Sequence, residues 1–310
     1  MLKFLVKRIL WLIPVVLGVS VLIFTIMCFT PGDPARNALG ADASQESIDE
    51  FNERHGLNDP YFVRLGSFLK STFLEFDLGT SYINGSSVSE QITSRLGYTM
   101  KITYIGILIS IVLGIPAGII AATNQNTWKD SLSMVVSLFC ASMPSFWFAL
   151  LLVMFFALRL GWLPTVGVKS WTGYILPCVS IGIGGAAGIA RQTRSSMLEV
   201  IRQDYVTTAK AKGQSYSKII WGHCLRNALI PVLTVIGSQM AVLVGSSLVC
   251  ETIFSIPGIG SYLVTGVNQR DYPVVLGCVV VLSLIFSLTM LCVDLMYAAV
   301  DPRFRNILKS

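Results

Sequence analysis

Apolar residues arrive in six long runs, at 9–29, 101–122, 132–158, 174–190, 229–249 and 274–296, with polar intervals between them. A helix needs about 20 apolar residues to cross the hydrocarbon core of a bilayer. The pattern therefore predicts an all-α protein with six membrane-spanning helices. Two polar intervals are long, the first at 30–98 and the second at about 195–228. Within the first, 44–54 (SQESIDEFNER) alternates as a short amphipathic helix that stops near Gly56, and 63–73 predicts another. In the second run Ser110, Gly114 and Gly118 recur every fourth residue, a small-residue stripe that lets a neighbouring helix approach closely. The fourth run carries Gly182, Gly184, Gly185 and Gly188, which suits the same purpose.

Charge orients the runs. Lys3, Lys7 and Arg8 precede the first one. It is too long for the apolar core of a signal peptide, and no small-residue cleavage site follows directly, so an uncleaved first span with a cytoplasmic N-terminus is expected. Arg191, Arg194, Arg202, Lys210, Lys212, Lys218 and Arg226 crowd the interval after the fourth run, whereas 30–98 is acidic. Positive loops beside spans stay in the cytoplasm. Both termini and the basic interval are thus expected inside, and 30–98 outside.

Composition agrees with the pattern. Of the 310 residues 53% are hydrophobic and only 13% charged, against about 25% charged in soluble domains. The net charge of +6 is spread over short loops, so it marks topology and no nucleic-acid partner. The seven cysteines form no CxxC pair and read as small buried hydrophobes.

Catalytic chemistry is missing from the sequence. It has no GxxxxGK[ST] phosphate loop, no HExxH and no GxSxG. No catalytic residue, metal site or cofactor bound by this chain is expected. No run carries a central charge, which argues against an ion-coupled secondary transporter.

Two places carry candidate function. Asp204 to Gly213 (DYVTTAKAKG) predicts a short helix, with Asp204 as N-cap and Gly213 as the residue that ends it. Tyr205, Ala209 and Lys212 fall on one face, which could dock into a groove of a soluble partner; the other reading is a solvated basic loop. The second place is the passage. Pro144 interrupts the third run, either as a packed kink or as the edge of a cavity. Ser238, Gln239 and Ser246 in the fifth run, and Glu251 just after it, are either interhelical glue or pathway lining.

The stretch from Asp204 to Pro231 resembles the cytoplasmic coupling loop of importer-type ABC permeases, closest to the dipeptide/oligopeptide/nickel branch. The matching residues are Asp204, Tyr205, Val206, Thr208, Ala209, Ala211, Lys212, Gly213, His223, Arg226, Asn227, Ala228 and Pro231. Thr207 stands where the general motif has an acid, so a salt bridge from that acid is not expected. Pro31-Gly32-Asp33-Pro34, Gly56 to Pro60, Asp77 to Ser81, Pro144 to Trp147, Leu163 to Gly167, Glu251 to Gly260, Arg270 to Pro273 and Asp301-Pro302-Arg303 are also similar to signatures of this branch. The resemblance covers nearly the whole chain.

It implies the permease subunit of a bacterial cell-membrane importer, working with a second permease, two ATP-binding subunits and an extracytoplasmic solute-binding protein. ATP and magnesium would sit in the partner subunits. Cargo would be di- or oligopeptides, with nickel or a metal chelate as the alternative. Asp204, Tyr205, Thr208, Ala209, Lys210, Ala211, Lys212, Gly213 and Arg226 would couple to the ATPase. The implied organisation is 1–29 for the N-terminus and first span, 30–98 for an outer insert that docks the binding protein or braces the helices, 99–300 for the core and 301–310 for a cytoplasmic tail.

Overall fold

A computed structural model describes the backbone of residues 2–40 and 42–300, with side chains for 6, 8–40 and 42–296. The tail at 301–310, with its Asp301-Pro302-Arg303 signature, lies outside the described residues. The helices are α1 (Leu2–Phe29), α2 (Pro34–Leu39), α3 (Gln45–Arg54), α4 (Tyr61–Phe73), α5 (Val88–Thr123), α6 (Trp128–Ser142), α7 (Ser145–Leu152), α8 (Ile175–Ile201), α9 (Asp204–Ala211), α10 (Leu225–Ile253), α11 (Ile259–Gln269) and α12 (Tyr272–Val300). β structure among the described residues is one isolated bridge, Thr80 with Ser87.

Among the described residues five helices are long and apolar enough to cross a membrane. A bent pair, Trp128–Ser142 with Ser145–Arg159, supplies a sixth crossing if counted as one. The predicted class therefore holds, with two corrections. The third run is not one kinked helix: its halves meet at 101°. Pro144 cannot donate to the helix ladder, and it forces Met143 into extended backbone at ψ 129°. Beyond the break, α7 loosens into a π-helical turn at Val153–Arg159. The second correction is at the boundary near 98, which falls inside α5. The polar stretch 88–98 lowers hydropathy there, yet Val88 and Ile92 recur at helical spacing and are buried.

The chain divides into two compact units. Among the described residues, one comprises 2–5, Met100–Phe254 and 289–300; the other comprises Val6–Thr99 and Ser255–Leu288.

In the first unit the two small-residue stripes face each other. A Cβ on Gly114 would lie 2.7 Å from the Ala186 carbonyl oxygen, and one on Gly118 2.6 Å from that of Ala190. Returning from α8, a Cβ on Gly182 would meet Ile109 at 2.8 Å, and one on Gly185 would meet the Ser110 hydroxyl at 2.5 Å. Ser110 Oγ donates to the Gly182 carbonyl at 2.7 Å across the contact. Bare backbone surfaces bring α5 and α8 together, as small residues do between membrane helices.

In the second unit, motifs far apart in sequence form one clasp. Asp33 caps α2 by accepting from Ala35 N at 2.9 Å, with Pro34 at the first turn, where no N–H is required. Gly32 takes φ +133°, and a Cβ there would overlap the Arg270 guanidinium. Arg270 itself is left-handed at φ 55° and ends α11. The next residue, Asp271, is buried; Ser81 Oγ donates to one of its oxygens and Tyr82 N to the other at 3.1 Å. The signatures at 31–34, 77–81 and 270–273 thus act as caps and turns that brace this unit. Glu46, Asp49, Glu50 and Glu53 of α3 remain exposed.

Candidate functional site

The connection between α8 and α10 begins with α9, the predicted short helix. Its cap differs from expectation. Gln203 occupies the N-cap with extended backbone, and Asp204 is the first helical residue. There its carboxylate faces the positive end of the helix dipole. At the other end Gly213 takes φ +74°, as predicted for the residue that stops the helix. No atom lies within 4 Å of a Cβ placed there, so the demand on Gly213 is conformational, not steric.

The outward face also differs. Val206 is 1% exposed, and the partly buried Tyr205 and Ala209 join it against Ile119, Met197, Val200, Ile219, Ile220, Cys224 and Ala228. Tyr205 Oη accepts from the Asn227 side-chain amide at 2.8 Å. The expected docking face of Tyr205, Ala209 and Lys212 is therefore mostly turned inward. The reason is physical: those apolar positions share a stripe, and the nearest apolar surface is the chain's own. The exposed stripe is Asp204, Thr207, Thr208 and Ala211, spaced i, i+3, i+4 and i+7, with Lys210, Lys212 and Arg226 also exposed. After α9, Lys218–Cys224 is a π-helical turn leading into α10, and His223 Nε2 lies 2.8 Å from the Gln214 side-chain oxygen.

A partly buried ion pair ties the first turn of α6 to α8. Arg194 donates from Nε to Asp130 Oδ1 at 2.6 Å and from Nη2 to Oδ2 at 2.7 Å. Asn126 N donates to the same Oδ2 at 3.0 Å. Asp130 is 4% exposed. Arg202 Nη2 adds a second tie, to Gln125 Oε1 at 3.1 Å. Sequence reading does not pair these residues. Each reads alone as a helix-end charge, and only the antiparallel return of α8 brings Arg194 to Asp130.

The break at Pro144 opens a cavity of about 170 Å³. Met143 and Ser145 line it from the break, Ser180 and Gly184 from α8, and Gln239 and Ser246 from α10. Broken helices at membrane depth are tolerated where they line a cavity or are buried in protein. Of the expected passage residues, Gln239 and Ser246 reach this space. Gln239 also lies against the bare backbone of α8, its Nε2 3.0 Å from where a Cβ on Gly188 would stand. Pro144 makes the break and is itself exposed. Ser238 is exposed and donates back to the Val235 carbonyl at 3.0 Å. Glu251 sits in the last turn of α10, not in a connection after it, and is 0% exposed; it does not line the cavity. Sequence alone does not mark Ser180, because its neighbouring glycines dominate that run.

The profile of the family described as "Binding-protein-dependent transport system inner membrane component" matches residues 114–306, and that of its N-terminal part matches 1–103. The dipeptide transport system permease protein DppB of Alkalihalophilus pseudofirmus is 41% identical over 98% of this chain and 100% of its own length. The glutathione transport system permease protein GsiC of Escherichia coli K12 is also 41% identical, over 98% and 99%. Among solved structures, the inward-facing MetNI methionine ABC transporter superposes with a TM-score of 0.59 at 19% identity. The match covers 69% of this chain and 97% of that one.

Proposed function

Because this chain belongs to the family of binding-protein-dependent transport system inner membrane components, we propose that it is the permease of a peptide importer driven by separate ATP-hydrolysing subunits. The observation that carries the reading is α9. An apolar stripe seats the helix on its own chain, and a second stripe, of small and polar residues, is left facing out. A short helix presented in this way fits a cleft of a soluble partner. Asp204, Thr208, Ala211 and the adjacent cations meet the ATPase, while Tyr205 and Ala209 position the helix from behind. Gly213 ends it, and Arg226 flanks it.

Di- or oligopeptide cargo draws on the names of the relatives, one a dipeptide and the other a glutathione permease. A second permease completes the passage, two ATP-binding subunits hold ATP and magnesium, and a solute-binding protein delivers cargo to the side bearing 30–87. Gln239 and Ser246 line the route at the helix break. Both termini and α9 face the cytoplasm, a placement supported by the basic residues between α8 and α10.

Impermeant thiol labelling tests the orientation, in a background with exposed Cys292 replaced by serine. Ser47 and Ser215 are both exposed. A cysteine at Ser47 is expected to react from outside intact cells, and one at Ser215 only after the membrane is opened. Outside labelling at Ser215 would overturn the placement of α9.

A further inference from the structure

We propose that a cavity flanked by α4 and the start of α12 is a binding site for a small zwitterion of dipeptide size, with Arg64 taking its carboxylate. The cavity holds about 340 Å³ and shares no residue with the one at the helix break. That volume lies at the lower end of ligand pockets, which run from about 300 to 1,000 Å³. It suits a short peptide and is too small for a two-chain lipid.

Arg64 lines this cavity from α4 and is partly buried. Its guanidinium makes no hydrogen bond or ion pair with another described residue. Its charge lies close enough to act on the hydroxyls of Tyr82 and Tyr272, which line the same space. A partly desolvated cation with all its donors unused favours an anion. A planar guanidinium suits a carboxylate, which it can grip at two points. Tyr82 lines the same cavity, and burial pushes its phenol up to about 12.

The opposite charge is also present. Asp59 and Asp77 line the cavity and are exposed at its rim. Asp77 uses one oxygen to accept from Gly79 N at 2.8 Å, and its other oxygen has no partner among the described residues. A simple anion such as phosphate would meet Arg64 but be repelled by both carboxylates. A molecule with an ammonium as well as a carboxylate satisfies both signs. Aromatic rings also line the cavity: Phe68 stacks on Phe24 with ring centroids 5.3 Å apart, and Tyr272 adds a third ring. These rings favour a ligand with an apolar side chain. The ligand class rests on the peptide reading above; the charge pattern does not.

The test uses the assembled importer in phosphatidylcholine nanodiscs without its binding protein, and measures equilibrium binding of radiolabelled Ala-Phe. Unlabelled Ala-Phe, its C-terminal amide and its N-acetyl form compete. The wild type is expected to bind Ala-Phe saturably, with the amide at least about tenfold weaker, the scale of one lost charge-assisted pair. Arg64→Gln should weaken Ala-Phe to the same degree and no longer distinguish acid from amide, while Arg64→Lys keeps part of the affinity. Comparing acid with amide on the wild type needs no variant, so a misfolded Arg64→Gln would not spare the proposal. Equal binding of acid and amide by the wild type, or unchanged discrimination in Arg64→Gln, overturns it. So does displacement of Ala-Phe by phosphatidylglycerol with no dependence on the peptide carboxylate, which would make the site a lipid headgroup site. Uptake with binding protein and ATP is run beside it. Normal Ala-Phe uptake with Arg64-independent binding removes this site and leaves the peptide reading standing. No uptake and no binding of any peptide removes both.

Discussion

Tryptophan at Ala211 is expected to stop transport while the protein still inserts in the membrane. Ala211 lies on the exposed stripe of α9, and the apolar stripe that seats the helix is on the other side. A cleft that fits alanine has no room for an indole, and overpacking a tight interface costs about 1–3 kcal/mol. That shifts an association equilibrium by about tenfold or more. Ala209→Trp should behave differently, because Ala209 is packed against the chain's own cluster. It is expected to lower the stability of the protein as well as transport. Gly213→Val adds backbone strain at φ +74°, whereas Gly213→Asn, which tolerates that region, should retain most activity. Ser217→Trp, beyond the helix and exposed, is the control and should be mild. Uptake and co-purification of the ATPase subunits, measured together, decide the matter. Normal transport by Ala211→Trp with partners bound would show that this face is not the contact.

Removing the Asp130 carboxylate should cost the fold more than any other single change considered. Asp130→Ala leaves the Arg194 guanidinium facing a site built for two hydrogen bonds to it. Breaking a buried pair in this way costs about 3–5 kcal/mol. The Arg194 side chain keeps 26% exposure, so water softens the loss toward the lower end, about 3 kcal/mol. The measurement is the denaturation midpoint of the purified protein in detergent, which should fall by several degrees. Asp130→Ala with Arg194→Met removes both charges and should recover part of the loss, since the penalty comes from the unpaired partner. A double variant as unstable as the sum of the two singles would contradict this explanation. The turn at Asn126 and the cluster under α9 share α5 and α8. The single variant is therefore also expected to weaken coupling.

The apolar runs made the spans legible, because length and hydropathy alone distinguish a membrane helix. Glycine spacing made close packing at α5 and at α8 legible, though not that they pack on each other: Gly114 and Gly182 are small because a backbone lies against each. Gly213 was readable as a stop, since the conformation it adopts is one that glycine reaches without strain. Other features were not local. The direction α9 faces depended on which surface lay nearest, and sequence spacing gives the stripe without the surface. Hydropathy missed the first turns of α5, because their burial is in protein and their polar residues are spread round the helix. Asp130 and Arg194 are 64 residues apart, and no spacing rule joins them. Glu251 looked like a loop acid beside apolar neighbours, yet α10 continues past it to Ile253. Pro144 was seen as an interruption, but its angle depended on how the two halves pack.

Uptake into proteoliposomes is the most direct test that this chain forms the route of an ATP-driven peptide importer. The protein is reconstituted with its second permease and ATP-binding subunits, with ATP and magnesium enclosed and the solute-binding protein outside. Labelled Ala-Phe should accumulate only when ATP and the binding protein are both present, and Ala211→Trp should abolish the signal. Accumulation driven by a proton gradient, with neither ATP nor binding protein, would contradict it.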